Sequence, residues 1–225
     1  MRKRLVALLV PVLLAVAGCT DAGPENASRT RDEAAQSRPS PFADCSGLTT
    51  DRPSAPPATG TAAATPAAAG AASATPAATG TAAAGTPLPE LTLACFTGGA
   101  PVELHQIRGP AVLNLWASWC APCRAELPAF QRLSERAEGQ LTVVGVNMRD
   151  TRSGAQSIGE DFGVRFPSLI DQGEALQRSL GRKAIPMTIL VDANSRIQHV
   201  DVSGALDDAR LAELVRVHLG VVVPE

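Results

Sequence analysis

The stretch AVLNLWASWCAPCRAELPAF, residues 111–130, holds two of the five cysteines of this 225-residue chain, Cys120 and Cys123. Its first six residues form an apolar run bounded by Pro110, as a short buried strand would be. Beyond it, Leu127, Phe130 and Leu133 recur at helical spacing, which predicts a helix over 123–138. The cysteine pair therefore stands where a strand gives way to a helix. A cysteine at a helix N-terminus meets unpaired N–H groups and the positive end of the macrodipole, and both favour its thiolate. The thiolate is the nucleophile in disulfide exchange. Cys123 lies one turn on and can resolve a mixed disulfide formed at Cys120. Pro122 suits the first helical turn, where a missing N–H leaves no helical bond unmade.

Other uses of a Cys-x-x-Cys pair fit less well. Haem attachment needs a histidine directly after the second cysteine, and residue 124 is Arg. A structural zinc site needs four ligands, whereas His105, His199 and His218 are scattered. A purely structural disulfide of so short a loop contributes little chain entropy. No metal is expected.

Outward from the pair, the chain falls into three parts. Arg2, Lys3 and Arg4 precede an apolar run over 5–17, too short to span a bilayer and arranged as a secretory leader. Val16-Ala17-Gly18-Cys19 resembles the bacterial lipobox, so residues 1–18 are expected to be removed and Cys19 lipidated, anchoring the chain to the cell membrane. Loss of the leader takes the formal net charge from −2 to about −5, and nothing in this balance points to nucleic acid. Residues 19–87 read as a disordered tether. Residues 53–89 carry no charge, ATGTAAA occurs at 58–64 and again at 78–84, and recurrent Pro and Gly prevent the alanines from building a helix. An exported chain meets an oxidising compartment, which leaves Cys45 and Cys95 as an even remainder to pair. If they pair, the low-complexity stretch is a closed loop and the tether is residues 19–45 alone. If they do not, the whole segment is tether.

Residues 88–225 read as one α/β domain. Residues 91–94 and 101–104 are expected to form an N-terminal β-hairpin extension. Strands follow at 111–116, 141–146, 187–191 and 196–202. Helices are expected at 123–138, 153–162, 173–180 and 207–219.

The whole of 111–130 resembles the thioredoxin superfamily, and more narrowly its TlpA/ResA/DsbE-like branch of membrane-tethered thiol-disulfide oxidoreductases. VVGVNMRD, FGVRFPSLID and IPMTILVDANSRI extend the similarity over roughly residues 88–220. The resemblance implies a thioredoxin-like fold, with a central mixed β-sheet flanked by helices and an insertion after the second central strand. It implies that Pro186 is a cis-proline facing the redox pair. Ile185 before it would then offer its backbone to an extended substrate segment, beside Trp119 on the docking surface. At the position of thioredoxin's buried acid stands Asn114, and Glu126 falls where the ResA-like branch carries a glutamate. Proton transfer to and from Cys123 is therefore assigned to Glu126. No histidine lies between the cysteines to stabilise the thiolate further, which favours a reductant. The implied protein is a cofactor-free monomer acting on thiols or disulfides of exported proteins, with apocytochrome c as the family substrate. It would be kept reduced by a membrane electron donor of the DsbD/CcdA type. A disulfide-forming oxidase is the first alternative. A copper metallochaperone, drawing on soft thiolates and on His199 as a third ligand, is the second.

Overall fold

The computed structural model of the chain describes residues 38–49 and 85–224. The leader, Cys19 and residues 50–84 of the expected tether lie outside the described residues. Among the described residues, eight strands form one mixed sheet: β1 (Thr86–Pro87), β2 (Thr92–Cys95), β3 (Val102–Glu103), β4 (Ala111–Trp116), β5 (Thr142–Met148), β6 (Ser168–Asp171), β7 (Met187–Val191) and β8 (Arg196–Asp201). Four α-helices are interleaved: α1 (Ala121–Arg136), α2 (Arg152–Asp161), α3 (Ala175–Ser179) and α4 (Asp208–Leu219). The strand order is β1-β8-β7-β4-β5-β6-β2-β3. β4, β5 and β6 run parallel, and the remaining pairings are antiparallel. This is the thioredoxin-like architecture, with the β2–β3 hairpin at one edge and α2 and β6 inserted after β5.

The centre of the sheet is covered on both faces, which explains why β4 is buried at all six positions rather than at alternate ones. Val112 and Trp116 join a cluster that holds Phe130 and Leu133 of α1 and Leu211, Leu214 and Val215 of α4. Ala111, Leu113 and Leu115 point the other way, toward Leu176 of α3, Leu104 and Ile107. α1 and α4 are bound to each other by a bidentate pair from Arg132 to Asp208, at 2.7 and 2.6 Å.

The expectation of an unstructured segment over 19–87 is corrected at residues 38–49. This piece packs against the domain because it carries three apolar side chains that the average composition concealed. Phe42, Cys45 and Leu48 are all buried. The Phe42 ring sits edge-on to Phe96, centroids 4.7 Å apart, and 6.0 Å from Trp116. It also requires Gly159 on α2, where an added Cβ would lie 2.7 Å from Phe42 Cζ. Backbone bonds from Ala43 N to Arg165 O and from Arg108 N to Leu48 O secure the piece on both sides, and Cys45 is disulfide-bonded to Cys95. Two strands absent from the sequence reading, β1 and β6, complete the sheet. β6 alone joins the hairpin to the parallel centre.

Candidate active site

The site lies at the end of the sheet where β4, β5 and β6 finish and β7 begins. Cys120 is the N-cap of α1, with extended backbone, and its sulfur accepts a bond from Cys123 N at 3.3 Å. Cys120 and Cys123 are disulfide-bonded, with Cα atoms 5.3 Å apart. Their exposure differs in a way that matters. Cys120 retains 5 % of its surface and Cys123 none, so only Cys120 can be approached from outside. The Cys123 N–H, which has no helical partner in the first turn, donates to that same sulfur at the positive end of α1, which stabilises the thiolate that would form there.

Cys120 is positioned by a carboxylate that sequence reasoning passed over. Asp150, just after β5, accepts bonds from Ser118 N at 2.5 Å, Ser118 Oγ at 2.6 Å and Asn147 Nδ2 at 2.9 Å. Arg124 Nη1 donates to Ser118 O at 2.7 Å. The turn before the redox pair is thus clamped from both sides. The only sequence signal for Asp150 was its place at the end of VVGVNMRD. Trp119 projects outward, 54 % exposed, while Trp116 is fully buried. The Trp119 indole N–H donates to Arg149 O at 2.9 Å, and the Arg149 guanidinium lies 5.7 Å from its ring centroid.

The Ile185–Pro186 peptide bond is cis. Pro186 is buried, and Met187 beyond it pairs with Leu115 at the end of β4. The cis bond is thereby brought to the level of the 117–120 turn. Ile185 packs against the core cluster that contains both active-site cysteines.

Glu126 stands one turn beyond Cys123 and therefore on the same face of α1. It is completely buried. Its Oε1 accepts from Asn114 Nδ2 at 2.6 Å and its Oε2 from Leu206 N at 3.1 Å. Burial pushes its carboxyl up to about 7, against the opposing effect of those two bonds, and the charge of Asp201 adds to the rise. Register explains the Asp201 contribution, because Asn114, Thr188 and Asp201 are successive partners across β4, β7 and β8. A group half-protonated near neutrality, one helical turn from a buried sulfur, is suited to holding or releasing a proton there.

The structure brings Cys120, Cys123, Glu126, Pro186, Ile185 and Trp119 to one end of the sheet. Cys45 and Cys95 lie elsewhere, against β6, where Cys45 Sγ is 3.8 Å from Ser168 O. His199 stacks on His218 with ring centroids 4.1 Å apart, and its Nε2 lies 3.8 Å from Asp201 Oδ2.

One reachable sulfur on a helix N-terminus, a buried partner sulfur and an adjoining cis-proline define a thioredoxin-fold protein with a Cys-x-x-Cys exchange pair. The chain belongs to the Redoxin family, whose family model matches residues 83–215. It is similar to the thiol-disulfide oxidoreductase ResA of Geobacillus thermodenitrificans, with 28 % identity over 144 residues, covering 63 % of this chain and 79 % of that one. It is 34 % identical over 118 residues to a thiol:disulfide interchange protein DsbE homolog of Paracoccus denitrificans, covering 51 % of this chain and 64 % of that one. Among solved structures it resembles a secreted thiol-disulfide isomerase from Corynebacterium glutamicum. That match has a TM-score of 0.51 and 31 % identity, over 59 % of this chain and 83 % of the other.

Proposed function

We propose that the chain is a thiol-disulfide oxidoreductase that reduces disulfides of exported proteins on the outer side of the cell membrane, to which lipid on Cys19 holds it. The observation that carries the reading is the unequal exposure of the two sulfurs at the head of α1. The Cys120 thiolate attacks a substrate disulfide, forming a mixed disulfide and releasing one substrate thiolate. Cys123, its proton taken up by Glu126, attacks Cys120 Sγ and releases the second substrate thiolate. The substrate gains two electrons and the Cys120–Cys123 disulfide is formed. A dithiol donor in the membrane, of the DsbD/CcdA type, returns the pair to the reduced state. The similarity to ResA and to a DsbE homolog supports this class of chemistry; disulfides of exported proteins, apocytochrome c among them, are the substrates proposed.

The deciding experiment is the midpoint potential of the Cys120–Cys123 couple in glutathione or dithiothreitol buffers, read on the peptide that contains both cysteines. A value at or below about −220 mV supports a reductase. A value near about −120 mV would make the chain a disulfide-forming oxidase instead.

A further inference from the structure

We infer that the rim of the redox site is a cationic docking surface for acidic polypeptide segments flanking the substrate's disulfide, an inference that rests on the exchange reaction proposed above. Arg124 in the first turn of α1, Arg149 just after β5, and Arg182 and Lys183 in the segment before Pro186 belong to the active-site end of the sheet, and Arg178 stands in the last turn of the short α3. Arg124 is fixed to the 117–120 turn through Ser118 O, and Arg149 lies against Trp119. The Arg178 guanidinium reaches the β6–α3 loop, 3.9 Å from where a Gly173 Cβ would stand. Arg182, whose N–H bonds Gln177 O, and exposed Lys183 lead directly into the cis Ile185–Pro186 bond.

The acids of this end are already engaged. Asp150 is bound by Ser118 and Asn147. Asp171 is buried and caps α3 through Ala175 N and Leu176 N. Glu174 pairs with Arg149 at 2.8 Å. At the end of β8, Asp201 accepts from Ser203 and faces Arg210, and at the start of α4 Asp207 is the cap and Asp208 pairs with Arg132. Glu90 and Glu103 belong to the outer edge built by β2 and β3. None of Arg124, Arg178, Arg182 and Lys183 pairs with a described carboxylate. A chain with formal net charge −2 thus presents cations with no described carboxylate partner at the end of the sheet that carries its active-site sulfur. Charge of one sign around a reactive cleft raises the encounter rate with partners of opposite sign.

The test is single-turnover reduction of two synthetic peptides by the pre-reduced chain. Both peptides carry the same internal disulfide, one flanked by glutamates and the other by lysines. Each turnover converts the Cys120/Cys123 dithiol to a disulfide and the peptide disulfide to two thiols. At low ionic strength the acidic peptide is expected to react about tenfold faster, and the gap should close in about 1 M salt, where screening acts within about 3 Å. Arg182→Glu with Lys183→Glu should remove the preference. Arg108→Glu with Arg196→Glu, the same charge change at the opposite end of the sheet, should keep it. Equal rates for the two peptides at low salt would overturn the inference while leaving the exchange reaction intact. Failure to reduce either peptide would instead overturn the exchange reaction. Binding to phosphatidylglycerol vesicles that the Arg182/Lys183 change abolishes, without any peptide preference, would assign the cations to a bilayer and also overturn it. The salt titration of the unaltered chain decides the matter if the double variant does not fold.

Discussion

Replacing Glu126 with Gln tests the most consequential energetic feature of the site. The Glu126 carboxyl is raised from 4.5 to about 7, chiefly by burial, so its neutral form is favoured in the folded chain. For an acid held above its unfolded value, the stabilisation is full below pH 4.5 and is lost as pH climbs to about 7. The gap corresponds to about 3 kcal/mol. Glutamine preserves the shape and removes the titration. It need not strand a donor, because Asn114 Oδ1 has no hydrogen-bond partner among the described residues. A half-turn of the Asn114 amide would bring that oxygen to the new Gln N–H2 and leave the Gln oxygen for Leu206 N. The assay is urea unfolding of the oxidised chain and of Glu126→Gln at pH 4.5 and pH 8, which keeps the active-site thiols out of the titration. Relative to the variant, the unaltered chain should lose about 3 kcal/mol between those two pH values. A stability difference independent of pH would refute the reasoning, since it would mean that Glu126 titrates alike in both states.

The other expectations are these. Cys123→Ala should stall exchange at the mixed disulfide on Cys120, and mass spectrometry of trapped adducts should find them there; abundant adducts on Cys123 in a Cys120→Ala variant would reverse the assignment. Replacing both Cys45 and Cys95 with Ala opens a loop with a sequence separation of 50 and should cost about 4 kcal/mol of unfolding free energy by chain entropy; a change below about 1 kcal/mol in denaturant titration would contradict this. Phe42→Ala empties a site between Phe96, Trp116 and Gly159 and should cost about 3–5 kcal/mol. An unaltered denaturation midpoint would show that residues 38–49 do not stay docked in solution.

Much of this architecture was legible because its signals are local. The apolar run of β4, the cysteine spacing and the helical period of α1 occupy one continuous stretch. The β2–β3 hairpin and the β7–β8 pair announce themselves through alternation and short turns. What stayed hidden depends on distant partners. β6 has only four residues, directly after a proline, and ends in a buried aspartate, so it shows no period; its strand character comes from lying between β5 and β2. Phe42 and Leu48 are single apolar residues in polar surroundings, and only the Phe96–Trp116 surface gives them somewhere to go. Asp150 is an ordinary acid in a loop until folding places Ser118 against it. The place of Glu126 near the cysteines came from the family resemblance. Its protonation near neutrality follows from complete burial beside Asn114 and Asp201, which no sequence pattern displays.

The bond from Cys45 to Cys95 also decides how the chain carries tension. If lipid on Cys19 fixes one end, a pull on the domain enters the fold at residues 38–45 and crosses through sulfur to β2, so residues 50–84 bear no load. The working leash is then residues 19–37, which can extend to at most about 65 Å. With the bond cut and residues 38–49 undocked, the leash would run to residue 85 and reach about 230 Å. A covalent bond remote from the chemistry would thereby fix how far from the bilayer the reactive sulfur can travel.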